Sequence, residues 1–104
     1  MIRIIKLMTG EEVIGKIVKT DNGAIELKTP VLLVPQMDDN NKVKINFMPY
    51  AAYGDAEKTV GIYPHAIVAD YEPSKELEEH YSQKFLGTIQ IVSPLQASVA
   101  GLKL

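Results

Sequence analysis

The chain has no cysteine and no tryptophan, and it has only two phenylalanines. Without cysteine there is no disulfide, no thiol nucleophile and no thiolate metal site, so thiol usage says nothing about compartment. It also lacks any apolar run of the length a membrane-spanning helix needs, and its first residues do not resemble a secretory h-region. The cytoplasm is therefore the expected location, with no membrane partner. Net positive charge is missing as well: 11 Lys+Arg stand against 13 Asp+Glu, a formal charge of -2. The basic field that announces most nucleic-acid binders is thus absent. Catalytic signatures are missing too, with no G-x-S-x-G, no H-E-x-x-H and no phosphate-cradling glycine loop. The two histidines, His65 and His80, fall on different predicted elements. The chain reads as a non-enzyme with no cofactor and no metal.

What is present is an ordinary globular composition. The 104 residues are 46% hydrophobic and 23% charged, enough for one core and too few for two full domains. Residues 1–50 carry seven basic and six acidic side chains, and residues 51–104 carry four and seven. The acidic excess gathers at Glu72, Glu76, Glu78 and Glu79. This shift marks two structural regimes within one domain.

The first regime alternates with period 2. Residues 1–7 are β-branched-rich and close at Thr9-Gly10, and residues 12–19 form a second strand. Asp21-Asn22-Gly23 is a strong hairpin signal, because Asn-Gly takes positive φ at both central turn positions. Residues 24–28 alternate apolar and charged; residues 31–34, between Pro30 and Pro35, predict a bend or an edge strand. Asp38-Asp39-Asn40-Asn41 is a second turn. After it, residues 42–48 put Val43, Ile45 and Phe47 on one face. Residues 51–58 read as a loop. Residues 59–63 and 66–71 read as two short strands parted by Pro64-His65. Gly15 in mid-strand predicts sharp curvature or a close backbone approach.

The second regime is helical. Ser74 is a good N-cap, Glu76, Glu78 and Glu79 lie near the positive dipole end, and Gly87 suits the position after the last turn. Leu77, Tyr81 and Phe85 recur every four residues, predicting a helix over residues 75–86 with one apolar stripe. Residues 88–92 suggest a further strand before an apolar tail. The expected architecture is all-β: a small, strongly bent barrel over residues 1–72, with a C-terminal helix over 73–87 packed on it. A short strand and tail complete it over 88–104.

Two segments carry a family resemblance. Leu7-Met8-Thr9-Gly10-Glu11-Glu12-Val13-Ile14-Gly15-Lys16-Ile17, followed by Asp21 and Ile25-Glu26-Leu27, resembles the first Sm motif of Sm-like proteins. Ile62-Tyr63-Pro64-His65-Ala66-Ile67, followed by Pro73-Ser74, is similar to the second motif in its bacterial form. The resemblance spans about residues 3–72 and points to a divergent bacterial or phage-type branch, distantly similar to bacterial Sm-like RNA chaperones. It implies a five-stranded SH3-type barrel that assembles into a homo-oligomeric ring, hexameric or heptameric, by pairing edge strands between subunits.

The resemblance also implies binding of single-stranded RNA, carried over to Asp21, Asn22, Tyr63 and His65. Two family positions differ. The hairpin-tip aromatic that stacks a base is Gly23 in this chain, and the phosphate-meeting lysine of the second motif is Pro64. The RNA site is then weakened or altered. The competing reading is a protein-interaction or assembly ring that has lost RNA, with partners on the helix or the tail. A monomeric barrel of unrelated ancestry is a third reading.

Each residue also has a plainer role. His65 suits a turn between strands as well as a contact to base or phosphate, and Asp21 suits backbone capping at its turn. Lys16, Lys19, Lys28, Lys42 and Lys44 are either a basic patch or solvated strand faces. His80 and Glu76 have the spacing of a helical ion pair rather than a metal site. Asp38-Asp39-Asn40-Asn41 lacks the remaining ligands of a calcium loop.

Overall fold

The computed structural model describes residues 1–86. Within them lie two compact units, Met1–Pro73 and a second from Ser74 onward. The first is an antiparallel sheet of six strands: β1 (Ile2–Leu7), β2 (Glu12–Asp21), β3 (Ala24–Met37), β4 (Val43–Pro49), β5 (Val60–Ile62) and β6 (Ile67–Tyr71). The order is β4-β3-β2-β1-β6, and β5 pairs with the first half of β3. The all-β expectation holds. The expected five strands are six, and the sheet is not closed into a barrel.

Residues 24–28 and 31–34, which the sequence reads as separate stretches, are one continuous β3, carried through Pro30 rather than ended by it. Thr29 takes φ +52°, a strained value for a β-branched residue, and the β2–β3 register shifts opposite it, between Ile14 and Lys16. Before this kink β3 pairs with β5. Beyond it, residues 31–37 pair with β4, and β2 supports them only as far as Leu33. Residues 34–37 and 43–46 therefore continue as a two-stranded arm, and no pairing among the described residues joins β4 to β6.

The sheet is nonetheless forced to curl. Ile62 ends β5 on one side of β3, and Ile67 opens β6 on the far side of β1. A flat sheet would separate β5 from β6 by about 19 Å, four spacings of ~4.8 Å. The intervening five residue steps reach at most about 17 Å when extended. They also contain a 3₁₀ turn, Pro64–Ala66, which shortens the link further. Inside the curl Ile5, Leu7, Val13, Ile25, Leu27 and Ile62 form the core, with Ile17, Leu32, Tyr50, Ala66 and Ile67 packed against it. Gly15 sits where a Cβ would lie 3.3 Å from the Leu27 side chain, so the mid-strand glycine serves close approach. Ile4, Ile14 and Val31 make a second buried row on the opposite face, in register across β1, β2 and β3.

The β1–β6 seam is polar. Arg3 pairs with Asp70 and lies 3.7 Å from Glu72, and the Tyr71 hydroxyl donates to the Glu12 carboxylate. Burial, then that hydrogen bond and the Glu12 charge, push the Tyr71 phenol up to about 12.

The second unit begins with helix α1 (Lys75–Tyr81) and continues into a π-helical turn over Ser82–Leu86. Together they fill the expected span, with the last residues wound wider. Ser74 caps the start, its hydroxyl accepting from the Leu77 N–H at 3.2 Å. Tyr81 is fully buried, which raises its phenol, and its ring lies 5.6 Å from that of Phe85. Among the described residues no helix is long and apolar enough to cross a membrane. Gly87 and the strand and tail expected over 88–104 lie outside the described residues.

Candidate functional site

The β2–β3 hairpin closes as its sequence demands. Asp21 pairs with Ala24, and both central residues have positive φ, Asn22 at +54° and Gly23 at +88°. The tip lies against the 3₁₀ turn between β5 and β6: a Cβ added at Gly23 would come within 3.2 Å of Pro64 Cγ. The glycine at the hairpin tip and the proline of the turn thus meet one another. This contact brings the hairpin end beside Tyr63 and His65, which come from a segment some 40 residues later in the chain. The Tyr63 and His65 rings run nearly parallel, at 16° with centroids 6.3 Å apart.

Next to the tip is a shallow cleft of about 370 Å³, lined by residues of three strands. Its construction follows from period-2 alternation. Ile25, Leu27 and Ile62 point into the core, so Ala24, Glu26, Gly61 and Tyr63 share the outer face. Cross-strand register then makes one row of Lys19, Glu26 and Gly61. Asp21, Ala24 and Tyr63 make the next. Ala24 and Gly61 form a low floor, and nothing lies within 4 Å of a Cβ built on Gly61. Around it stand Tyr63, Thr59, Asp21, Lys19 and Glu26. The Thr59 hydroxyl donates to Glu26 Oε1 at 3.0 Å, fixing that carboxylate while its second oxygen remains able to accept.

Of the four residues singled out in the sequence, Asp21 and Tyr63 line this cleft. Asn22 is exposed at the hairpin tip, and His65 is exposed beside Tyr63. Lys19 is one of the five lysines weighed as a basic patch, whereas Ala24, Glu26, Thr59 and Gly61 carry no such role in the sequence reading. Parity would have grouped Ala24 with Glu26, but only the pairing of β5 with β3 adds Thr59 and Gly61. The five lysines do not share one register row: Lys16 stands opposite Lys28, Lys19 opposite Glu26, and Lys44 opposite Gln36 on the arm. Asp38 Oδ1 accepts from the N–H groups of Asn40 at 2.8 Å and Lys42 at 2.9 Å, the work of a turn residue. Among the described residues no three metal-ligating side chains gather. Comparison with protein-family models and with curated proteins finds no match for the chain.

Proposed function

We propose that the chain is a divergent Sm-like protein that forms a homo-oligomeric ring and binds single-stranded RNA through an altered site. The observation that carries this reading is the convergence of the two motif segments. Asp21 from the first and Tyr63 from the second line one cleft, and Gly23 packs against Pro64, with Asn22 and His65 exposed next to them in the chain. Supporting it are a last strand that returns to β1 and sheet edges at β4 and β6 that carry no further strand among the described residues. Such edges invite pairing with another subunit. Tyr63, at 65% exposure, offers a stacking face where the hairpin tip has none. The barrel implied by the family is in this reading an open, curled sheet that assembly completes.

Light scattering tests the ring: six or seven times the 11.5 kDa chain mass supports it, and a monomer overturns it. Fluorescence-polarisation titration with short oligonucleotides at two salt concentrations tests the RNA. Micromolar binding that weakens with salt is expected. Absence of binding in low salt leaves the second reading, an assembly ring for protein partners. That reading has its own observation: Met37, Val43 and Ile45 form an apolar face on the arm and are 63%, 61% and 40% exposed.

A further inference from the structure

Resting on the RNA reading, we infer that the cleft beside the hairpin tip is a guanine-selective base slot. Three features of the outer face point to one ligand chemistry. The floor is low, because Ala24 on β3 and Gly61 on β5, diagonal neighbours in adjacent register rows, raise almost no side chain above the sheet. A planar group can therefore lie close to the sheet. One wall is the exposed Tyr63 ring, a platform on which any base can stack. The remaining polar groups are chiefly acceptors: the carboxylates of Asp21 and Glu26, with Lys19 beside them.

That last feature discriminates between bases. Uracil presents carbonyl oxygens on both sides of its single N–H, and these face the carboxylates unfavourably. Adenine and cytosine each offer one exocyclic amino group to a carboxylate. Guanine alone offers two adjacent donors, N1–H and the N2 amino group, which one carboxylate accepts side by side when the base is unstacked and splayed out. Glu26 is suited to this role, since Thr59 fixes its orientation from one oxygen. Lys19, in register with Glu26, supplies a cation for the phosphate attached to the bound nucleoside. The loss of the family's phosphate-meeting lysine at Pro64 and of its tip aromatic at Gly23 is thereby answered within one cleft, with Lys19 and Tyr63 in their stead.

The test uses a seven-nucleotide uridine strand and three versions with a single central G, A or C, titrated against the full chain at low salt. The single-G strand is expected to bind about tenfold tighter than all-U. Tyr63→Ala should weaken every strand, whereas Glu26→Gln should abolish only the preference for G, because an amide offers one acceptor where the carboxylate offers two. Circular dichroism confirms that both surface variants fold. Equal or tighter binding of all-U, or a G preference untouched by Glu26→Gln, overturns the slot while leaving RNA binding intact. Guanosine monophosphate, followed by NMR, separates the base from the strand. Shifts at Gly61 and Tyr63 with guanosine but not uridine monophosphate support the slot even where no strand binds. Absence of shifts together with absence of strand binding overturns both readings.

Discussion

The two hairpins β1–β2 and β3–β4 are built alike and end differently. At the first, the Leu7 N–H donates to Glu11 O and the Gly10 N–H to Leu7 O, each at 2.8 Å. At the second, the Asp38 N–H donates to Lys42 O at 2.8 Å and the Asn41 N–H to Asp38 O at 3.1 Å. Both turns have one residue with positive φ in the same place, Gly10 at +94° and Asn41 at +62°. Both hairpins carry an apolar row on one face, Ile5, Leu7 and Val13 in the first and Met37, Val43 and Ile45 in the second. Yet Ile5 and Val13 are fully buried while Val43 and Met37 stand mostly in solvent. Turn chemistry and alternation make a hairpin; neither makes a core. Burial comes from neighbours on the open side, which β1–β2 has in β3 and β6 and which the arm lacks among the described residues.

The largest test of this contrast is truncation of matched apolar residues. Leu27→Ala removes a fully buried side chain and is expected to cost about 2–5 kcal/mol in urea unfolding. Ile45→Ala, on the arm, should change stability by no more than about 0.5 kcal/mol, as surface changes do. A large, protein-concentration-dependent cost at Ile45 would instead show that assembly covers the arm.

Next in size are the turns. Gly23→Ala is expected to cost more than about 1 kcal/mol, because it adds a Cβ both at positive φ and against Pro64. Asn41→Gly, at an exposed positive-φ position with no such contact, should be neutral within a few tenths of a kcal/mol, measured by thermal unfolding. Since Asn41 marks the arm and Gly23 the site, the pair also asks whether tip-to-turn packing matters more than the turn conformation itself.

The smallest effect expected is alkaline. Tyr71 and Tyr81 both lose their protons later in the folded chain than in the unfolded one. The unfolded state therefore binds fewer protons above its own phenol pKa of about 10, and stability falls as pH rises from there. For Tyr71 the fall continues towards about 12. Urea midpoints across this range should drop progressively. Tyr71→Phe should flatten part of the decline. A variant in the arm, such as Ile45→Ala, should leave the slope unchanged.

Local signals were legible wherever the chain solves a local problem. The Asn22-Gly23 turn, the Ser74 cap and the alternation of residues 43–48 all appear in the structure. Less legible was anything decided by distant partners. Pro30 looked like a strand boundary, but the break it imposes is absorbed by Thr29 at positive φ, so β3 runs on. Alternation puts Val43, Ile45 and Phe47 on one face, but it marks an apolar side without saying what covers it. Of the cleft, Asp21 and Tyr63 were legible as motif residues. Thr59 and Gly61 were not, and Glu26, though within the first motif, carried no site role, since these roles depend on β5 lying against β3.

By itself, then, the sequence determined an all-β chain with a helical end, its tight turns and its lack of thiol chemistry. These follow from backbone propensity and composition, which act over a few residues. Only the tertiary structure decided that the sheet stays open, that one hairpin is buried and the other bare, and that hairpin tip and 3₁₀ turn meet. The reason is geometric: five residue steps must carry the chain from β5 to β6, and the sheet curls until they can.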